Sequence, residues 1–159
     1  MLGAITFLSD ILMELLPNIH LVAVLVLTFT AVFRVKALIP MYVYVLLSGV
    51  FSGFSLWWVP YLYVWLPLWA LALLVPKGAP RWVKCVFYPT IAALHGFAFG
   101  ILYSPAQALM FGLDFEGMIA WIIAGIPFDL IHGISNLALG LLIYPLTELF
   151  DRLLRGAYR

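Results

Sequence analysis

Forty consecutive residues separate Lys36 from Lys77 without a basic side chain, and 67 separate Lys84 from Arg152. Both stretches are almost unbrokenly apolar. A hydrocarbon core about 30 Å thick takes about 20 apolar residues per helical crossing, so each stretch has room for an outward and a returning pass. The eight Lys and Arg residues stand only at the ends of these stretches, in the clusters Arg34/Lys36, Lys77/Arg81/Lys84, Arg152/Arg155 and the last residue, Arg159. Soluble domains carry charge on about a quarter of their residues. Here 9% are charged, 66% are hydrophobic and the mean hydropathy is +1.14. The apolar runs do not alternate with polar residues as barrel strands would, which leaves helices as the way to satisfy backbone groups in lipid. The expected fold class is all-α: a polytopic membrane protein forming one six-helix transmembrane bundle across residues 1–159, with no soluble domain.

The six helices are expected at about 2–16, 19–33, 37–56, 61–75, 85–103 and 127–150. Turn chemistry separates them at Pro17-Asn18, Val59-Pro60, Pro76 through Pro80 and Ser104-Pro105. Two segments lie between successive basic clusters, so the clusters share one side. The positive-inside bias puts that side, and both termini, in the cytoplasm. The opposite loops, near Asn18, Trp57–Tyr61 and Ser104–Ile126, hold no Lys or Arg and carry Asp114 and Glu116. Two segments are awkward. The first, at ~22 Å, falls short of a full crossing, so either it sits at a thin point of the bundle or the chain starts inside a longer helix. Met118–Ile126 is apolar but too short to cross, and reads as a helix or re-entrant piece folded over the outer face before a last helix begun by Pro127. The alternative is one long kinked helix from Gly117 onward.

Ionisable residues within membrane segments are costly and are functional candidates by default. Asp10 and Glu14, four residues apart, share a face of the first helix. Asp129, His132 and Asn136 share a face of the last, and His95 sits midway along the fifth. The orientation brings these groups to the outer half of the bundle, which suggests a cavity. The plainer reading is interhelical hydrogen bonding at about 1 kcal/mol per bond. Five aromatics crowd the nine residues from Trp57 to Trp65, among them Trp57, Trp58 and Tyr61, and Trp121 follows on the same side. They suit an interfacial belt or a wall that stacks on planar or cationic ligands. With Asn18 at the outer turn, the candidate binding residues are Asp10, Glu14, Asn18, Trp57, Trp58, Tyr61, His95, Trp121, Asp129, His132 and Asn136. Small residues four apart, Ser48/Ser52, Gly49/Gly53 and Gly96/Gly100, mark close helix approach.

Several chemistries are excluded. No phosphate-binding glycine loop of the GxxxxGK[ST] type occurs, so the chain has no ATP-hydrolysing engine of that kind. No HExxH, paired-cysteine or Gly-x-Ser-x-Gly motif points to a metal centre or a nucleophilic enzyme, and no cofactor is implied. Cys85 stands alone, which rules out an intrachain disulfide. The basic residues are dispersed over separate loops and imply no nucleic-acid partner. A voltage sensor would need regular bases within a helix.

Three stretches, LPNIH at Leu16–His20, GFSLWWVPYLYVW at Gly53–Trp65 and GIPFDLIHGISNLALGLL at Gly125–Leu142, together with six helices and both ends inside, resemble the substrate-specific S components of energy-coupling factor (ECF) transporters. The resemblance spans the chain. It implies an outward pocket for a vitamin-like molecule, a transmembrane coupling protein and two ATPase subunits as partners, and the cell membrane as location. It also implies an Ala-x-x-x-Ala docking face on the first helix. Only Gly3 and Ala4 stand at that level here.

The leading expectation is a binding subunit for uptake of a small organic nutrient. A structural or assembly protein without a ligand, or an ion or proton pathway through the acidic and histidine residues, are the rivals. The first requires a pocket closed at the bottom, the second a filled bundle, the third a continuous polar path. Asp10, Glu14 and Asp129 without a basic partner disfavour an anionic ligand. A neutral or cationic flat heterocycle is expected.

Overall fold

The computed structural model describes residues 1–16 and 18–157, and every regular element among them is helical. The α-helices are α1 (Leu2–Leu12), α2 (Val22–Phe33), α3 (Leu38–Ser52), α4 (Trp65–Leu73), α5 (Arg81–Phe97), α6 (Phe99–Phe111), α7 (Phe115–Gly140) and α8 (Ile143–Ala157), with 3-10 turns at Arg34–Ala37 and Leu56–Leu62. Four helical stretches are long and apolar enough to cross a membrane: Val22–Ser52, Leu56–Leu73, Arg81–Phe111 and Phe115–Gly140. The all-α class and compatibility with several membrane crossings therefore hold. The first stretch is not one rod, because Arg34 at φ 57° and ψ −126° reverses the chain between α2 and α3.

The centre is α2. Every residue from Val22 to Val32 is buried, as a helix apolar on all faces must be. It is wrapped by α4, α8, α1, α7 and α5. Beside it, α1 and α3 run in the same direction. Gly3 packs on the Pro40 carbonyl and Val43, and Phe7 meets Phe51 edge-on at 5.4 Å. The tightest pair is α5 with α7, and it is antiparallel. Pro89 faces Gly140 and Gly96 faces Gly133, and the contact continues into α6, where Gly100 faces Asp129. A Cβ on Gly96 would sit 2.8 Å from the Gly133 Cα, so glycine on α5 permits backbone contact there.

The basic clusters among the described residues gather at one end. The Arg34 guanidinium donates to the Val75 carbonyl at 2.7 Å and to the Leu73 carbonyl, satisfying groups that the end of α4 leaves unpaired. Lys77, Lys84, Thr147 and Asp151 line one small cavity, and the Arg81 guanidinium lies 5.4 Å over the Tyr144 ring.

Several expected boundaries move. The first helix stops at Leu12 rather than 16, and the second starts at Val22 rather than 19. Pro17 lies outside the described residues, while Asn18 adopts φ 59°, a left-handed conformation that asparagine tolerates better than most residues. The third helix ends at Ser52 because Gly53 turns the chain at φ 88°. The segment expected at 61–75 is a 3-10 turn containing Pro60, followed by the short α4. The expected turn at Ser104-Pro105 lies inside α6 instead. Proline removes the bond to the Ile101 carbonyl, but the Ser104 hydroxyl donates to that oxygen at 3.0 Å, so the helix continues. The break falls earlier, at Ala98 between α5 and α6. Met118–Ile126 is helical but not a separate piece, and Pro127 does not start a helix. Both lie within α7, whose N-terminus is capped by the Asp114 carboxylate accepting from the Gly117 N–H at 2.8 Å. The long-helix alternative is the one observed, and α8 follows as a separate amphipathic helix.

Candidate functional site

At the end away from the basic clusters, α1, residues 13–16 and 18–20, the end of α3 and the Leu56–Leu62 turn enclose a cavity of about 270 Å³. This is just below the usual range for organic ligands, about 300–1,000 Å³, and suits one or two rings. Its walls carry Asp10, Glu14, Asn18, His20, Ser48, Ser52, Trp57 and Tyr61, with Phe7, Ile11, Met13, Leu16, Ile19 and Phe51 between them. Lys and Arg are absent from this lining.

Each polar group is held from a different element. Asp10 and Glu14 project from the last turn of α1 and its continuation. Tyr44 of α3 donates its hydroxyl to the Asp10 carboxylate at 2.9 Å, which fixes the carboxylate and uses only part of its acceptor capacity. The close fit of Gly3 against α3 sets the spacing of these helices. The left-handed Asn18 is tied through its carbonyl to the Ser135 hydroxyl of α7 at 3.0 Å. Trp57 and Tyr61 meet edge-on at 5.4 Å. Their turn is lashed to α6, where Tyr103 donates to the Trp57 carbonyl at 2.8 Å and Tyr63 to the Leu102 carbonyl at 2.9 Å.

Below the cavity stands Trp65, 1% exposed. It stacks on His95 at 5.5 Å and meets Tyr61, Tyr44 and His20 edge-on. His20 links the two levels: it lines the cavity, and its ring lies 4.7 Å from that of His132. Two carboxylates, aromatic faces and an imidazole on one small cavity can accept hydrogen bonds, oppose a positive charge and stack on a flat ring. No cluster among the described residues has three or more groups fit to hold a metal ion.

Of the residues expected from sequence, Asp10, Glu14, Asn18, Trp57 and Tyr61 meet in this cavity. The other six do not line it. Trp58 folds back over Gly49 and donates to the Val45 carbonyl at 2.7 Å. His95 is buried with Nε2 2.8 Å from the Val64 carbonyl oxygen. Asp129 accepts from the Gly100 N–H at 3.0 and 3.2 Å. That N–H belongs to the first turn of α6, left unpaired by the break at Ala98, and a carboxylate is favourable at such a helix start. Asn136 donates to the Ala92 carbonyl at 3.2 Å. His132 is buried against Phe99 and His20, and Trp121 stacks on Tyr103 at 5.8 Å. Asp129, His132 and Asn136 do share one helical face, but that face meets α5 and α6. Missed from sequence were His20, Ser48, Ser52, Phe7, Phe51 and the supporting Tyr44. Ser48 and Ser52 carry a visible signal, four-residue spacing near the end of a helix, which reads equally as close helix packing.

Fold and cavity together define an all-helical protein, apolar enough for several membrane crossings, with an acidic and aromatic cavity at one end. Comparison of the chain with protein-family models, curated proteins and solved structures gives no match.

Proposed function

We propose that the chain is a membrane-embedded binding subunit that takes up a small neutral or cationic organic nutrient. In this reading six passes cross the cell membrane: α1, α2, α3, the Leu56–Leu62 turn with α4, α5 with α6, and α7. The basic end and both termini face the cytoplasm, α8 lies along that surface, and the cavity opens outward. The chain resembles ECF S components, so transport energy would come from a separate transmembrane coupling protein and two ATPase subunits. The ligand is a vitamin-like heterocycle.

The observation that carries this reading is the meeting of Asp10 and Glu14 with Trp57 and Tyr61 around one cavity that no Lys or Arg lines among the described residues. Exposed or half-exposed carboxylates contribute little to holding helices together, so a purely structural bundle gives no reason to gather them there. An ion path is disfavoured because fully packed Val24, Leu27, Val45, Leu68 and Ile143 fill the core. The test is to purify the protein from its native membrane in mild detergent and identify the small molecule it retains by mass spectrometry. A neutral or cationic ring compound in near-stoichiometric amount is expected. A carboxylate or phosphate compound as the tight ligand would overturn the charge argument.

A further inference from the structure

We infer that His20 reads an uncharged hydrogen-bonding group on the bound ring, a carboxamide or lactam edge, and that His132 behind it is a positioning residue. The inference deepens the proposed reading of the cavity and rests on it. Below the cavity five aromatic side chains close a circuit. Its members are His20, Trp65, His95, Phe99 and His132, with successive ring centroids 4.7 to 6.3 Å apart. Four of them stand on α4, α5, α6 and α7, and His20 alone comes from the irregular stretch before α2.

Four of the five carry a buried ring nitrogen with no hydrogen-bond partner among the described residues: His20 Nδ1, Trp65 Nε1, His95 Nδ1 and His132 Nε2. Buried polar atoms are nearly always partnered, so such a group of exceptions calls for an explanation. Trp65 can only donate. His95, whose Nε2–H donates to the Val64 carbonyl at 2.8 Å, can only accept through Nδ1. These two rings are stacked, so the indole N–H does not point at the imidazole lone pair. His20 and His132 differ. They are the closest pair in the circuit, edge-on at 4.7 Å, and each neutral imidazole has one donor and one acceptor nitrogen. A small rotation of either ring joins His20 Nδ1 to His132 Nε2 and satisfies both. That bond sets the tautomer of His20. Only Nδ1 of His20 is buried without a partner, so Nε2 is the nitrogen turned to the cavity that the residue lines.

The floor that presents His20 is fixed. The Ser135 hydroxyl of α7, three residues on from His132, holds the Asn18 carbonyl at 3.0 Å, and Gly133 rests on Gly96 of α5. Asp10 and Glu14 oppose positive charge, whereas His20 Nε2 pairs with a neutral donor or acceptor. Its Nδ1 is buried with no carboxylate on it, which disfavours the imidazolium. No Lys or Arg lines the cavity among the described residues, so an ionised group on that edge would meet no cation.

The test titrates the purified full chain in detergent with 1-methylpyridinium and with the tighter of its 3- and 4-carbamoyl derivatives, reading dissociation constants by ligand-observed NMR. The first probe has only the flat ring and the positive charge, and the second adds a donor and an acceptor. Wild type is expected to bind the carbamoyl probe about fivefold more tightly, the contribution of one neutral hydrogen bond. His20→Phe and His132→Phe should each abolish this preference while leaving 1-methylpyridinium within about twofold. His20→Gln and His132→Gln, whose amide stands near the place of Nε2, should restore much of it. Asp10→Asn should weaken both probes and keep the preference, which separates the two levels of the site. No preference in wild type, or an unchanged one in His20→Phe, would overturn the inference and leave the cavity reading standing on 1-methylpyridinium binding. A preference lost in His20→Phe but kept in His132→Phe would overturn the positioning role. Failure of wild type to bind either probe would overturn the cavity reading and this inference together.

Discussion

Gly96→Leu is expected to destabilise the protein by about 3 kcal/mol or more, the upper end for overpacking a well-filled interior, and to lower its melting temperature by about 10 °C. The cause is local and steric. A Cβ at Gly96 would lie 2.8 Å from the Gly133 nitrogen and Cα and 2.9 Å from the His132 carbonyl carbon. These are backbone atoms of α7 and cannot swing aside, so α5 and α7 would have to separate. Separation would also pull Asn136 from the Ala92 carbonyl and Asp129 from the Gly100 N–H. Gly133→Ala should cost less, because the neighbour in its way is the exposed Phe97 side chain rather than backbone. Gly78→Leu, with open space around it, serves as the neutral control. Thermal unfolding followed by size-exclusion profile in detergent reads all three. Equal melting temperatures for Gly96→Leu and Gly78→Leu would refute the close helix contact.

Asp10 and Asp129 should respond in opposite ways to the same substitution. Asp10→Asn is expected to weaken binding of the retained ligand at least tenfold, because a hydrogen bond to a charged group contributes ~1.5–3 kcal/mol and tenfold is ~1.4 kcal/mol. Its melting temperature should change little, since Tyr44 can still donate to the amide oxygen. Asp129→Asn should leave affinity within about twofold in the folded fraction. It should cost ~1 kcal/mol of stability by removing the charge from the start of α6. Affinity and melting temperature measured on one preparation decide the assignment. An affinity loss in Asp129→Asn with unchanged stability would return that residue to the ligand site.

Charge and hydropathy patterning carried most of what was legible beforehand. The helical class and the grouping of the basic clusters at one end both follow from residue order, because long apolar runs have few ways to satisfy their backbones. Helix ends were less legible. Pro105 and Pro127 look like terminators, yet both lie inside helices. For Pro105 the freed carbonyl is answered by Ser104, a compensation that depends on one rotamer and leaves only a Ser-Pro pair in the sequence. For the candidate site, spacing revealed which side chains share a helical face but not which neighbour that face meets. Asp10 with Glu14 and Asp129 with His132 have equally suggestive spacing. One pair opens on a cavity and the other meets α5 and α6, and the difference lies in glycines at 96 and 100 that draw α7 close. His20 was hidden for another reason: it sits beyond the turn at Asn18, where no helical period applies.

The central claim is an outward-facing cavity that holds a ligand, and substituted-cysteine labelling of intact cells tests it most directly. In a Cys85→Ser background, cysteine is placed singly at Ser52, at Glu116 and at Gly78. Ser52 is exposed on the cavity wall and Glu116 is exposed near the start of α7, whereas Gly78 lies in the basic loop. Glu116 is preferred to Asp114 because the latter caps α7. An impermeant thiol reagent should label the Ser52 and Glu116 positions and not the Gly78 position, and the retained ligand should slow labelling at Ser52 alone. Labelling at Gly78 from outside, or ligand-independent labelling at Ser52, would contradict the account.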